Sequence, residues 1–349
     1  MATEPATETT LQGPAAWEAE AEREHVHGLG PWKLGLRRLR RNKIALLFGF
    51  LFILLVAACI AAPLWADKVA KTTANANHLS DTITVDGKEK NVVGLDGVPV
   101  GPQWWKADGK FFLGADRNGR DIMVRLLYGG RNSLEIGVVA AVITTILSII
   151  LGLVAGYFRG PADVVIRALL DVMWSFPVII LGVALGVALA LGGLKLGPIK
   201  LAGDSLAIPI FIIGLVYVPY MARPVRGQVL SLREKEFVEA ARAQGAGPIR
   251  IMFTEVLPNL ASTMIVFFTL LIANAILLEA ALSFLGAGVQ PPSPSWGTMI
   301  DEGVDRIATA PHLAVVPGVM LVLTVLSLNV FGDGVRDALD PRAKVRLER

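Results

Sequence analysis

SLREKEFVEAARAQGAGPIRIMFTEVLP, residues 231–258, is a polar stretch enclosed by apolar runs long enough to cross a membrane. Its first half predicts a helix over 232–244, with Ser231 at the cap and Glu234 completing a capping box. Phe237, Ala240, Ala241 and Gln244 recur at the spacing of one helical face, and Arg233, Lys235, Glu236 and Arg242 lie away from it. One aromatic ring and two alanines are too little for a core, but they suit close docking into a shallow groove. Gly245 stands where a helix end asks for positive φ. Gly247-Pro248 opens a second helix. Its Ile249, Ile251, Met252, Phe253 and Val256 are expected to pack on the membrane bundle, and Leu257-Pro258 is expected to end it. These residues leave two accounts standing: a docking element for a separate protein, or an ordinary interhelical loop with capped surface helices.

The surrounding chain sets the class. Of its 349 residues 53% are hydrophobic and only 18% charged, too few to clothe a soluble domain, so the composition predicts an all-α integral membrane protein. The net charge of +3 matters less than where Lys and Arg fall. A single cysteine, Cys59, excludes an intrachain disulfide and reads as a small apolar residue facing lipid or a neighbouring helix.

Residues 1–31 lack apolar periodicity and read as a disordered tail; they are acidic, without the apolar core of a signal peptide. The segment 32–43, WKLGLRRLRRNK, is basic and abuts the first span, 44–64. Such segments stay cytoplasmic, and its position argues against a nucleic-acid patch. Residues 65–133 are expected outside, with a strand-like piece at 82–85 and a short interfacial helix carrying Ile122, Leu126 and Leu127 between Arg120, Asp121 and Arg125.

Five more spans fill 134–331: 134–157, 172–192, a short 206–220 with Pro209 and Pro219, 260–285 and 313–331. Between them lie an inner loop at 158–170, an outer connection at 193–205 and a net acidic outer loop at 286–312. The tail 332–349, with Arg336, Arg342, Lys344, Arg346 and Arg349, falls inside. Six transmembrane helices with both termini cytoplasmic satisfy the charge rule at most inner loops; a re-entrant fourth segment would put the basic tail outside.

No catalytic constellation is visible. Gly87-Lys88 and Gly109-Lys110 are followed by Glu and Phe, so neither makes a phosphate loop, and His25, His27, His78 and His312 show no zinc grouping. Two polar residues of the fifth span are candidates for a translocation pathway. Asn274 faces that pathway or bonds a neighbouring helix. Glu279 lies about 30 Å along the helix from Asn259 at 1.5 Å per residue, near the outer mouth, and serves substrate, a gate or structural pairing. Thr144, Thr145 and Ser148 are expected to tighten helix packing.

Glu239-Ala240-Ala241, Gly245 and Leu257-Pro258 resemble the EAA signature of ABC-importer membrane subunits: E-A-A, three residues, G, nine residues, I, one residue, L-P. Glu255 occupies the Ile position, and Val256 is the apolar residue nearest to it. LGADRNGRDIMVRLLYGGRNSL (113–134), EAALSFLGAGVQPPSPSWGTMI (279–300) and GDGVRDALDPR (332–342) are similar to the dipeptide/oligopeptide/nickel permease family, above all its second, C-type permease.

The resemblance implies a type I-like ABC importer permease in a bacterial or archaeal cytoplasmic membrane. It would share the pathway with a homologous permease and work with two ATPase subunits and an extracytoplasmic solute-binding protein. Phe237, Glu239, Ala240, Ala241, Gly245, Leu257 and Pro258 would then couple it to the ATPases. ATP and Mg²⁺ would sit on those partners, so this chain would bind no cofactor and would not be an enzyme. Di- or oligopeptides are the implied cargo, with nickel, a sugar or another small solute as alternatives. A secondary transporter would need ionisable groups at mid-membrane.

Overall fold

The computed structural model describes residues 31–85, 88–104, 109–196 and 199–339. The expected tail at 1–30, with His25 and His27, and the last ten residues, with Arg342, Lys344, Arg346 and Arg349, lie outside the described residues.

The basic segment forms its own helix, α1 (Pro31–Arg41). Asn42 then accepts a bond from the Ala45 N–H at 3.0 Å and caps α2 (Lys43–Ile60), the first span. A short helical continuation, Ala62–Trp65 and Ala66–Ala70, follows. The expected strand is present: β1 (Thr82–Val85) pairs antiparallel with β2 (Lys88–Asn91).

The expected interfacial helix is not separate. It is the start of α3 (Ile122–Phe158), 37 residues long. The apolar phase of Ile122, Leu126 and Leu127 runs unbroken into the span, so nothing ends the helix between them. At 1.5 Å per residue α3 is about 55 Å long against about 30 Å of hydrocarbon, so its first turns stand clear of the membrane. Asp121 caps it, accepting bonds from Val124 N–H at 3.1 Å and Phe111 N–H at 2.8 Å. Burial pushes the Asp121 carboxyl up, and these backbone donors pull it down less strongly.

Two spans are bent pairs. The expected inner loop 158–170 is mostly helix α4 (Gly160–Trp174), which meets α5 (Val178–Gly192) at 86°. Pro177 explains the break: it bars helical geometry at Phe176 and removes a donor. The outer connection folds as a hairpin, β3 (Leu194–Leu196) with β4 (Ile199–Leu201). Next, α6 (Ala207–Val216) and α7 (Val218–Leu232) meet at 41°, and α7 runs well past the expected end at Tyr220. Thr144 donates to the Gly214 carbonyl at 2.7 Å and Ser148 to the Val218 carbonyl at 3.1 Å, on either side of that bend. Both side chains come from α3, which is how a bundle tolerates a broken ladder in lipid. The third residue of that group, Thr145, has a buried hydroxyl without a partner among the described residues.

The coupling loop holds α8 (Glu236–Ala243). A helical turn, Pro248–Ile251, and a π-helical turn, Met252–Val256, lead into α9 (Leu257–Phe284). The outer loop 286–312 is not irregular throughout: it contains α10 (Trp296–Val304), capped reciprocally by Ser295 and Thr298. The last span, α11 (His312–Leu339), continues helical eight residues beyond the expected Phe331.

α2, α3, α9 and α11 are each long and apolar enough to cross a membrane, and counting each bent pair as one span gives six. α3 is the centre, packed against α7, α9 and α6. Small residues bring the backbones together. A Cβ on Gly156 would lie 2.7 Å from Val229 in α7, and one on Gly137 would lie 2.4 Å from Ile276 in α9.

Candidate functional site

The loop that opened the sequence reading has the expected turn and an unexpected start. Ser231 lies inside α7, so it caps nothing, and α8 starts at Glu236 with Lys235 extended at its N-cap and no side-chain cap. Glu234 is not in a capping box; it pairs with Arg159 at the end of α3. Local apolar continuity through Val229 and Leu232 keeps α7 helical where capping chemistry alone would have started a new helix.

At its other end α8 closes as drawn from sequence. Gly245 has φ +82°, and the Ala246 N–H reaches back to the Ala241 carbonyl at 3.0 Å. A side chain at 245 would meet no atom, so glycine is required there by the backbone angle and not by space.

One side chain anchors α8. Val238 is fully buried, and Ala241 packs half-buried against the same core. Ala241 therefore leaves the expected docking face, whose other members Phe237, Ala240 and Gln244 are exposed, as is Glu239 beside them. Arg242 and Arg233 add a cationic clamp, stacked 5.8 and 5.9 Å from the Tyr157 ring at the end of α3.

The second half of the loop buries Ile251, Met252 and Val256, but Ile249 and Phe253 are exposed, against expectation. Pro258 does not stop a helix; it lies in the first turn of α9, directly after the π turn. The π turn carries one extra residue, which rotates Val256 into the core and leaves Glu255 half-buried at the edge. That accounts for a carboxylate at the signature's Ile position. Freed carbonyls are met locally: Thr254 donates to Arg250 at 2.8 Å and Asn259 to Glu255 at 2.6 Å.

The pathway candidates separate. Asn274 is half-buried, and its backbone carbonyl accepts from the Tyr217 hydroxyl at 3.2 Å. Glu279 is fully buried within the protomer and accepts from the Ser283 hydroxyl at 2.7 Å. It does not line an open path here. It belongs to the internal seat of α10, where Ser133 receives the Trp296 N–H at 3.2 Å and Asn132 donates to the Pro294 carbonyl at 2.7 Å.

Sequence reasoning missed the buried charges at the head of α3. Arg120 pairs with Asp116 at 2.6 Å and Glu302 at 2.7 Å; Arg125 pairs with Glu302 at 3.2 Å and Asp116 at 3.5 Å. Two guanidiniums and two carboxylates, from segments some 180 residues apart in the chain, tie α10 to the head of α3. The only sequence signal was four charges beside apolar positions, which surface residues share.

Comparison with known proteins fits this geometry. Residues 148–345 match the model of the family described as binding-protein-dependent transport system inner membrane component. The chain belongs to that family, and is the permease of an ABC transporter rather than its ATPase subunit. Residues 30–80 match the N-terminal TM domain of oligopeptide transport permease C, which makes it a C-type permease. It is 35% identical over 314 residues to the glutathione transport system permease protein GsiD of Pectobacterium atrosepticum, covering 90% of this chain and 92% of that one. It is 40% identical over 244 residues to the di/tripeptide transport system permease protein DppC of Pseudomonas aeruginosa, covering 70% and 76%. The fold is that of a chain of the inward-facing MetNI methionine ABC transporter, with TM-score 0.51, 20% identity and coverage of 63% and 98%.

Proposed function

We propose that this permease imports di- or oligopeptides and is driven through α8. The observation that carries the coupling half is the placement of α8: a short rigid helix, held by Val238 and a positive-φ turn, that presents Phe237, Glu239 and Ala240 outward. In this reading each permease of a heterodimer seats its loop in one of two ATPase subunits, which hold the ATP and Mg²⁺. Gly245, Leu257 and Pro258 set the loop's angle to α9. An extracytoplasmic binding protein delivers cargo, and both termini lie in the cytoplasm, as the basic α1 beside α2 supports. The peptide cargo rests on likeness to relatives named for dipeptide and di/tripeptide transport. A relative named for glutathione, itself a peptide, favours the same class.

The test is uptake of radiolabelled peptides by the reconstituted complex, with Glu239→Arg as the variant. Peptide uptake should fall at least about tenfold while the chain still inserts and co-purifies with its homologous permease. Unchanged uptake would sink the coupling role, and an unsubstituted complex that carries no peptide would sink the cargo.

A further inference from the structure

Much of α9 is left open by the protomer, and between Ala261 and Leu270 only Met264 is buried. Thr263, Phe267, Leu270, Asn274, Leu277 and Ala281 recur every three or four residues, and none is buried. Leu260, Met264, Leu271, Ala275 and Leu278, on the other sides, are buried. Glu279 falls among the buried positions, which separates it from Asn274.

The cytoplasmic half of the open side forms the floor of a cavity of about 430 Å³. Three helices wall it: Tyr220 of α7, Ser262, Thr263 and Phe267 of α9, and Arg336 of α11. That volume lies within the range of small-ligand sites, and the mixture of hydroxyls, aromatic rings and one cation is the usual chemistry of such sites. Polar groups among spanning helices face a bundle interior or an aqueous path rather than lipid. Gln228 of α7 donates to Thr263 at 3.1 Å and fixes its hydroxyl. Tyr220 lies edge-on to Phe267 and Tyr217, with centroids 6.4 and 6.2 Å apart. Tyr217 in turn reaches the Asn274 carbonyl, so an aromatic strip joins the cavity to the level of Asn274.

Arg336 occupies the last turn of α11 and is exposed toward this cavity. Asp333 and Asp337 are near it in sequence, yet Arg336 forms no ion pair among the described residues. A guanidinium offers a carboxylate two parallel N–H donors, which an ammonium cannot do.

We propose that this cavity is an inner station of the cargo path and that Arg336 binds the C-terminal carboxylate of a peptide there. The proposal rests on the peptide reading above. The Ser262 and Thr263 hydroxyls meet the peptide's amide groups, and Tyr220 with Phe267 gives a surface tolerant of varied side chains.

The test is equilibrium binding of dialanine and its C-terminal amide to the purified transporter complex without binding protein or nucleotide. Unsubstituted, Arg336→Gln and Arg336→Lys forms are compared, with ATP hydrolysis as the check on assembly. Arg336→Gln should weaken dialanine about tenfold and leave the amide's affinity unchanged, and Arg336→Lys should restore part of the loss. Equal dialanine affinity in the Gln variant, equal losses for both ligands, or no dialanine binding by the unsubstituted complex would overturn the assignment. Peptide uptake by that same complex would show that only the assignment had failed; its absence would show that the cargo reading had failed.

Discussion

Glu302→Gln tests whether the outer charge cluster holds the fold together. Of the two carboxylates in α10, Asp301 is exposed and Glu302 joins the cluster, pairing with Arg120 at 2.7 Å and Arg125 at 3.2 Å. The native cluster is formally neutral, and the substitution leaves a net positive charge among side chains that are at most 9% exposed. Breaking a buried pair costs about 3–5 kcal/mol; Glu302 itself is 18% exposed, so a loss near the lower end, about 3 kcal/mol, is expected. Adding Arg120→Gln restores neutrality and leaves Arg125 beside Asp116 at 3.5 Å. The double variant should therefore lose less than the sum of the two single losses, by about 1 kcal/mol or more. Reversible unfolding in mixed detergent micelles, followed by tryptophan fluorescence, measures all three. A single-variant loss under about 0.5 kcal/mol, or strict additivity, would refute a coupled buried cluster.

Val238→Asp should free α8 from the bundle, because a carboxylate at a fully buried apolar site is not accommodated without a partner. The expected outcome is a complex that hydrolyses ATP but moves at least about tenfold less cargo per ATP, read from paired hydrolysis and uptake rates. Gly130→Val should overpack the junction of α2, α3 and α10, since a Cβ there would lie 2.5 Å from the Cys59 sulfur and 2.6 Å from the Trp296 ring. The loss should be about 1–3 kcal/mol by the same unfolding assay, and Cys59→Ala in the same chain should recover part of it.

Apolar run length and the positions of Lys and Arg made the four long spans legible, because in lipid the backbone must satisfy itself within the segment. Gly245 was legible because a helix end needs a left-handed residue. The features that were missed depend on neighbours distant in sequence. α4 looked like a loop because its polar groups suggested solvent. Asp163 and Asp171 instead meet Arg226 and Arg223 of α7, while Val165, Leu169 and Val172 remain exposed. α10 looked irregular because its helix is short and flanked by proline, and its stability comes from Trp296 being wholly buried and bonded to the Leu126 carbonyl at 3.1 Å. Ser231 failed as a cap because the capping box is a local rule and α7 was already helical through that position.

The two ends of the protomer are built for different mechanical tasks. The end carrying α10 is held by groups that are costly to separate: three buried charges with the partly exposed Glu302, the Trp296 indole bond and the seat around Glu279. The opposite end holds α8 by one valine, one half-buried alanine and the exposed Arg242 against the Tyr157 ring, with Arg233 at the end of α7 on the same ring. Between them, both broken spans converge on one aromatic cluster: Trp174, the last residue of α4, stacks 6.5 Å from Tyr220 in α7, just past the 41° bend. α8 follows α7 in the chain and packs on the turns at 248–256 that lead into α9, and the bend before α7 falls at Tyr217. Asn274 is bonded to that same Tyr217 hydroxyl. Displacement of α7 should thus be felt first at the open side of α9, where the cavity and Asn274 lie, before it is felt at α10.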